Sequence, residues 1–302
     1  MKVTVLSGGV GGARFVRGLT ETLPPADVTV IGNVGDDVEV LGVHVSPDLD
    51  SILYALAGLN DEERGWGRAG ETWHALETVS SLGGEDWFRL GDRDLGLHLV
   101  RTQALREGQA LSTVTARLAR ALGLETRLLP ATDDPLRTWL DTPGGSFPFQ
   151  EWFVARGHRD EVDAVRYEGA EAARPAAGVA EALENADLVA IAPSNPFVSI
   201  GPILSVIRPL VRRAVAVSPL IGGRAVKGPA DRMLARLTGG TSAAHVAGCY
   251  EGLLDALVLD QADADDAAAV AALGIRPIVT QTLMADADAR RRLVESVLGA
   301  PA

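Results

Sequence analysis

The chain alternates between short, unbroken apolar runs and stretches whose apolar positions recur every three to four residues. Lys2–Leu6 (KVTVL) is β-branched and apolar, and the turn Ser7-Gly8-Gly9-Val10-Gly11-Gly12-Ala13 follows it. Phe15, Val16, Leu19 and Leu23 then take the spacing of one helix face, which Pro24-Pro25 ends. Val28–Ile31 reads as a second strand between Asp27 and Gly32. Strand, turn, helix and strand in that order open a parallel sheet. The rhythm returns at Thr126–Leu129, after a helix over Ser112–Leu122, and at Leu188–Ala192, Ala214–Val217, Leu257–Leu259 and Pro277–Val279. Runs that are apolar at every position suit strands covered on both faces. The pattern predicts an α/β fold, a doubly wound, mostly parallel, Rossmann-like sheet with ligands beyond the carboxyl ends of its strands.

Two stretches break the alternation. Residues 60–110 hold Trp66, Trp73, Trp87 and several glycines, and residues 130–175 are irregular. Both read as helical or irregular insertions over the sheet edge, forming a substrate-binding cap on one domain that spans residues 1–302. The acidic run Asp260–Asp266 reads as a solvated helix start.

Composition narrows the function classes. The 302 residues carry 28 basic and 40 acidic side chains, a net charge of −12. That balance argues against nucleic acid as a partner, since phosphate backbones reward a basic surface. No stretch approaches the roughly 18 apolar residues of a membrane helix, and the N-terminal run lacks the form of a signal peptide. Cys249 is the sole cysteine, which excludes an internal disulfide and a cysteine-based zinc site. A cytoplasmic protein with Cys249 as an ordinary buried thiol is the simplest expectation.

Six segments carry candidate chemistry. Gly8, Gly9, Gly11 and Gly12 either cradle a phosphate at a helix N-terminus or only permit tight strand–helix packing. They form neither a Walker A loop nor the dinucleotide fingerprint, whose third glycine, counted from Gly9, falls on Arg14. Asn33 and Asp36, in Gly32-Asn33-Val34-Gly35-Asp36-Asp37, either read a nucleoside or metal or simply shape a turn. Asp48 and Asp50, in Ser46-Pro47-Asp48-Leu49-Asp50-Ser51, are either helix-start acids or Mg²⁺ ligands. On a regular helix they point about 200° apart, so joint ligation requires Asp48 to precede the helix. In Trp87–Thr102, Arg89 and Arg93 alternate with acids beside two aromatics, a pattern able to clamp a flat, charged ligand. His98 there is equally a satisfied buried histidine. Ser194, Asn195 and Ser199 follow one strand, and Gly222, Gly223 and Lys227 follow the next. Several such loops on one edge imply a large, multiply phosphorylated ligand.

Taken together, SGGVGGARFVRGL, GNVGDDVEVLGVHVSPDLDSILYALAGL, WFRLGDRDLGLHLVRT, APSNPFVSIGPIL and AVSPLIGGRAVKGPA resemble the 2-phospho-L-lactate transferase (CofD/FbiA) family of coenzyme F420 biosynthesis. LPATDDPLRTWL, FPFQEWFV and VTQTLM extend the resemblance over nearly the whole chain. It implies a Mg²⁺-dependent transferase, commonly a homodimer. The donor would be lactyl-2-diphospho-5′-guanosine (LPPG) or its enolpyruvyl counterpart (EPPG), and the acceptor the deazaflavin FO. Attack by the terminal ribityl hydroxyl of FO on the phosphorus bearing the acid releases GMP and gives F420-0 or its dehydro form. On this reading the diphosphate sits on Gly8–Gly12 and Ser194–Ser199. Asp48, Asp50 and Arg93 are the catalytic candidates: Asp48 and Asp50 contact the FO hydroxyl, Mg²⁺ or both, with Asp50 the first candidate base. Arg89 and Arg93 hold the deazaflavin or the acid's carboxylate, His98 contacts FO, and Lys227 touches a phosphate or makes only a surface salt bridge. Two alternatives compete: a non-catalytic, nucleotide-sugar-binding regulator of the same superfamily, and a dinucleotide-dependent oxidoreductase. The missing third glycine and the lack of an acid ending the second strand count against the oxidoreductase.

Overall fold

The computed structural model describes residues 1–300. The first half of the chain contains β1 (Val3–Ser7), α1 (Gly9–Thr22), β2 (Val28–Gly32), the hairpin β3 (Val38–Val40) and β4 (Val43–Val45), α2 (Pro47–Ala57), α3 (His74–Ser81), α4 (Asp92–Arg106), α5 (Leu111–Ala121) and β5 (Arg127–Pro130). A small antiparallel sheet follows, built from β6 (Arg137–Thr142), β7 (Gly145–Pro148) and β8 (Ala164–Glu168). The chain then forms α6 (Val179–Glu184), β9 (Leu188–Ile191), α7 (Gly201–Ile207), β10 (Ala214–Val217) and the hairpin β11 (Leu220–Ile221) and β12 (Arg224–Ala225). The remaining elements are α8 (Ala230–Thr238), α9 (Ala243–Gly248), β13 (Leu254–Asp260), α10 (Ala267–Ala272), β14 (Arg276–Thr280) and α11 (Ala287–Leu298).

All seven expected strands join one parallel sheet in the order β14-β13-β10-β9-β1-β2-β5. The chain starts at the centre with β1, builds outward through β2 to β5, then returns beside β1 with β9 and builds the other way. The direction therefore reverses between β1 and β9. Loops leaving neighbouring strands at such a point diverge and open a crevice at the strands' carboxyl ends. Here those loops are the glycine turn after β1 and Pro193–Ser199 after β9.

Both sheet faces are covered, as the unbroken apolar runs require. Val5, Val30, Ala190, Val215 and Val258 pack with residues of α1, α2, α5 and α11. Their strand neighbours Leu6, Ile31, Ile191, Ala216 and Leu257 pack on the opposite side with residues of α6 to α10. Phe15 and Leu19 of α1 are fully buried, each worth about 1.5–3 kcal/mol of apolar burial. No helix among the described residues is long and apolar enough to cross a membrane.

The insertions are more ordered than their sequence suggests. In the first, α3 and α4 cap one another: Asp92 accepts from the His74 and Ala75 amides, and Glu71 from those of Arg93 and Asp94. In the second, the small sheet reaches the site loops, with the Thr138 amide donating to the Gly35 carbonyl at 2.8 Å. The β3–β4 hairpin lay unread in the sequence, although Val-Glu-Val-Leu-Gly-Val-His-Val alternates. Its turn puts Leu41 and Gly42 at positive φ (51° and 74°), the two-residue hairpin conformation that asparagine and glycine normally signal.

Candidate active site

The crevice between β1 and β9 is lined by a buried polar cluster. Ser194 ties its two walls together, receiving the Gly8 amide at 3.4 Å and donating to the Gly8 carbonyl at 2.7 Å. The glycines are required for close approach. A Cβ at Gly8 would strike Asp48 and lie 2.9 Å from the Ser199 Cβ, and one at Gly12 would stand 2.5 Å from Ser7 Oγ and 2.6 Å from Ser194 Oγ. Asn195 shapes its loop, its Oδ1 accepting from the Phe197 amide at 2.9 Å.

Asn33 organises the centre. Its Oδ1 accepts from the Gly35 amide (2.8 Å), so its Nδ2 faces three acceptors: Asp48 Oδ2 (2.9 Å), the Val198 carbonyl (3.1 Å) and the Asp36 carboxylate. Two N–H protons serve three acceptors. The other oxygen of Asp48 accepts from the Gly9 amide at 2.7 Å, in the first turn of α1. Burial raises the Asp48 carboxyl to about 6, opposed by the bonds from Asn33 and Gly9 and reinforced by the Asp37 and Asp50 charges. Burial likewise lifts Asp36 well above the carboxylate range, with the Asp48 charge next in effect. Asp37 Oδ2 accepts from Ser46 Oγ (2.8 Å) and lies 2.9 Å from His44 Nε2, while Asp37 Oδ1 is buried without a partner.

Asp50 belongs to a different neighbourhood. Helix α2 begins at Pro47, so Asp48 lies inside its first turn and not before it. The geometric condition for Asp48 and Asp50 to share one ion is therefore not met. Asp48 faces Gly9 and Asn33; Asp50 faces α4, where the Arg101 guanidinium grips both its oxygens, at 3.0 Å for Oδ2. No cluster of three or more metal-type side chains is preformed among the described residues.

The remaining expected site residues divide. His98 is buried, packed between Arg101 Nη1 (3.3 Å) and Asp94 (3.2 Å), and has no exposed face for a ligand. Arg89 lies over the Trp73 ring, 4.6 Å from its centroid, and Arg64 lies over Trp66 and Trp73 in the same ladder. Arg93 is exposed, with its guanidinium beside Gly70. Gly222 and Gly223 are already committed: their amides donate to the Asp263 carboxylate at 3.0 and 2.8 Å, closing the β11–β12 turn. They are not available to a phosphate. The acidic run does start a helical turn, with Asp260 capping it by accepting from the Ala262 amide at 2.9 Å, but Asp260 and Asp263 are buried and not solvated; Asp260 also accepts from the Thr282 amide and hydroxyl. Lys227 is exposed and its Nζ leans on the Gly65 backbone. Cys249 is half-buried, donating to the His245 carbonyl at 3.4 Å, and burial pushes its thiol up to about 11. Arg101, Asp37, His44 and Tyr54 were not among the expected site residues. The signal for Arg101 was the i, i+4, i+7 spacing of Asp94, His98 and Arg101 on one helix face.

A small cleft of about 30 Å³ opens beside the first turn of α1, walled by Val10, Arg14, Ser51, Asn60 and Trp66. The family described as "2-phospho-L-lactate transferase CofD" matches residues 3–293. The chain belongs to the CofD family. It is 44% identical to the phosphoenolpyruvate transferase of Streptomyces coelicolor over 99% of this chain and 97% of that one. It is 38% identical to the 2-phospho-L-lactate transferase of Methanosarcina acetivorans over 98% and 97%. A UPF0052 family protein from Bacillus halodurans superposes with a TM-score of 0.65 over 98% of both chains at 18% identity, a likeness of fold. As a CofD-family protein the chain is a transferase of the 2-phospho-L-lactate or phosphoenolpyruvate type. Neither the regulator nor the oxidoreductase reading is favoured.

Proposed function

We propose that this CofD-family transferase moves a phospholactyl or phosphoenolpyruvyl group from LPPG or EPPG to the terminal hydroxyl of FO, in coenzyme F420 biosynthesis. The hydroxyl oxygen bonds to the phosphorus bearing the acid, the bond from that phosphorus to the bridging oxygen breaks, and GMP leaves with that oxygen. The observation that carries the reading is Asp48. It is a buried carboxylate at the first turn of α1, raised to about 6 and held by Gly9 and Asn33 at the sheet's switch point. Such a group is mostly ionised at neutral pH yet basic enough to take a proton from an attacking hydroxyl. Asp48 replaces Asp50 as the base, because the Arg101 guanidinium neutralises Asp50 whereas only neutral donors meet Asp48.

The amides of the α1 first turn and the Ser194–Ser199 loop would receive the diphosphate. Trp66, walling the cleft beside that turn, offers a face for the flat acceptor ring.

Asp36, Asp37 and Asp48 lack a neighbouring arginine of the kind that Asp50 has. A diphosphate placed beside the charges of Asp37 and Asp48 would need a cation, and hard oxygen donors suit Mg²⁺. The ion would ride on the donor's phosphates and face Asp48 through water, so that the Asp48 oxygens stay free to take the proton, with Asp36 behind it across Asn33. The ion would supply charge neutralisation at the transferring phosphorus. Mg²⁺ dependence, a cytoplasmic site of action and a homodimer are parts of this proposal.

The test combines the protein with FO, Mg²⁺ and each donor and looks for the phosphodiester-linked deazaflavin by mass spectrometry. Product with one donor and not the other is expected, and names the acid. No product with either donor, despite intact FO binding, would reject the donor assignment. No FO binding at all would return weight to a nucleotide-binding regulator.

A further inference from the structure

Helix α2 is gripped on two sides of its first turn. On one side Asp48 takes the Gly9 amide and Asn33. On the other, Asp50 meets the face of α4 that carries Asp94, His98 and Arg101. Arg101 is fully buried and holds both oxygens of Asp50. Its Nη1 lies 3.3 Å from His98 Nδ1, and His98 Nε2 lies 3.2 Å from Asp94, which in turn accepts from Tyr54, one turn beyond Asp50 on α2. Five polar side chains thus bridge two helices, with Arg101 and His98 almost wholly removed from water. Taking these charges out of water is costly, and a packed apolar pair often stabilises as well. Stability alone is a weak reason for this arrangement, and a geometric one is at hand.

We infer that Arg101 is a positioning residue: by clamping Asp50 to α4 it fixes the rotation of the α2 first turn and so aims Asp48 at the reacting phosphoryl group. Two carboxylates two positions apart on one helix then have separate tasks, one facing the chemistry and one facing the anchor. The orphaned Arg101 Nε and the oblique His98–Asp94 contact fit a bridge built for direction and not for complete pairing. This inference rests on the role given above to Asp48, and the test separates the two.

The variants are Arg101→Met, Arg101→Lys and the double replacement Asp50→Leu with Arg101→Met. Arg101→Met leaves a buried carboxylate unpaired and is expected to melt lower. The double variant removes both charges and is expected to melt close to the unaltered protein. With LPPG or EPPG and FO, the double variant should still lose about 10²-fold in kcat, the scale of an ångström-sized misplacement, with donor KM rising only as far as the loss of Mg²⁺-dependent GDP affinity. Arg101→Lys keeps the charge without the fork and should recover only part of kcat. Calorimetry with GDP, with and without Mg²⁺, supplies a readout independent of turnover. The gain in GDP affinity on adding Mg²⁺ should shrink at least fivefold in the double variant. A double variant that melts, turns over and binds GDP with Mg²⁺ like the unaltered protein would overturn the inference. If the unaltered protein is inactive with both donors, the transfer reading falls while the GDP comparison still judges Arg101. An unaltered protein that binds no GDP overturns both.

Discussion

Asp48 and Asp50 have the same side chain, lie two positions apart and are both almost completely buried, yet they meet opposite surroundings. Asp50 is neutralised by a guanidinium, whereas Asp48 shares Asn33 with Asp36 and carries no counter-charge. A carboxyl raised by burial favours the folded state while protonated. That advantage is lost as pH rises from the unfolded value, about 4, through the folded one. Asp36, raised in this way, therefore destabilises the fold at neutral pH. Asp36→Asn keeps an oxygen for Asn33 and removes the charge. At pH 8 it should melt about 2–6 °C above the unaltered protein, with the difference closing toward pH 4. The acid limb of kcat/KM should stay near pH 6, because burial, Asp37 and Asp50 still lift Asp48. Thermal melts across pH together with a pH–rate profile check both statements, and an equal melting difference at pH 4 and pH 8 would contradict them. At this scale the sequence made Asp48 and Asp50 legible as a pair. Their division of labour was not legible, because it depends on α4, more than forty residues later.

At the scale of elements, two glycine-rich turns looked alike in sequence and are not alike in structure. The turn after β1 opens a 14-residue helix and packs against Asp48 and Ser199. The Gly222–Gly223 turn closes a short hairpin on Asp263. Gly8→Ala should therefore lower kcat/KM at least 10²-fold, since its Cβ displaces Asp48. Asp263→Asn turns its NH₂ group on one of the two hairpin amides; that lost bond outweighs the relief of a charge that burial already disfavours and should cost about 1 kcal/mol of stability, while leaving kcat/KM within about twofold. Denaturant unfolding and steady-state kinetics on both variants decide the matter. Loss of nucleotide binding in Asp263→Asn would return the hairpin to the site. Composition alone could not separate these turns, because what fills an amide is set by a partner elsewhere, here forty residues on.

For the whole molecule, the insertion at 130–175 acts on the crevice from outside the central sheet. Tyr167 of β8 donates to the Phe197 carbonyl at 2.6 Å, and the next carbonyl, that of Val198, accepts from Asn33. The small sheet thereby supports the Pro193–Ser199 loop at the crevice, which the proposed function assigns to the donor. Tyr167→Phe leaves a partly buried carbonyl unpaired, at a cost of about 1 kcal/mol. Donor KM should rise several-fold and FO KM should change little. Equal changes in both constants would show that the phenol only supports the general fold.

The sequence by itself determined the parallel sheet, because strands buried on both faces must be apolar at every position and their helices must repeat every 3.6 residues. It determined which loops lie at the strands' carboxyl ends, since that follows from strand–helix order, and its motifs pointed to the family. Only the tertiary structure decided which of those loops converge. That depends on the chain reversing between β1 and β9, which brings Gly8 beside Ser194 across nearly two hundred residues. Tertiary structure also decided which carboxylate is anchored and which is left strained. Burial and counter-charge come from neighbours in space, and local sequence carries no record of them.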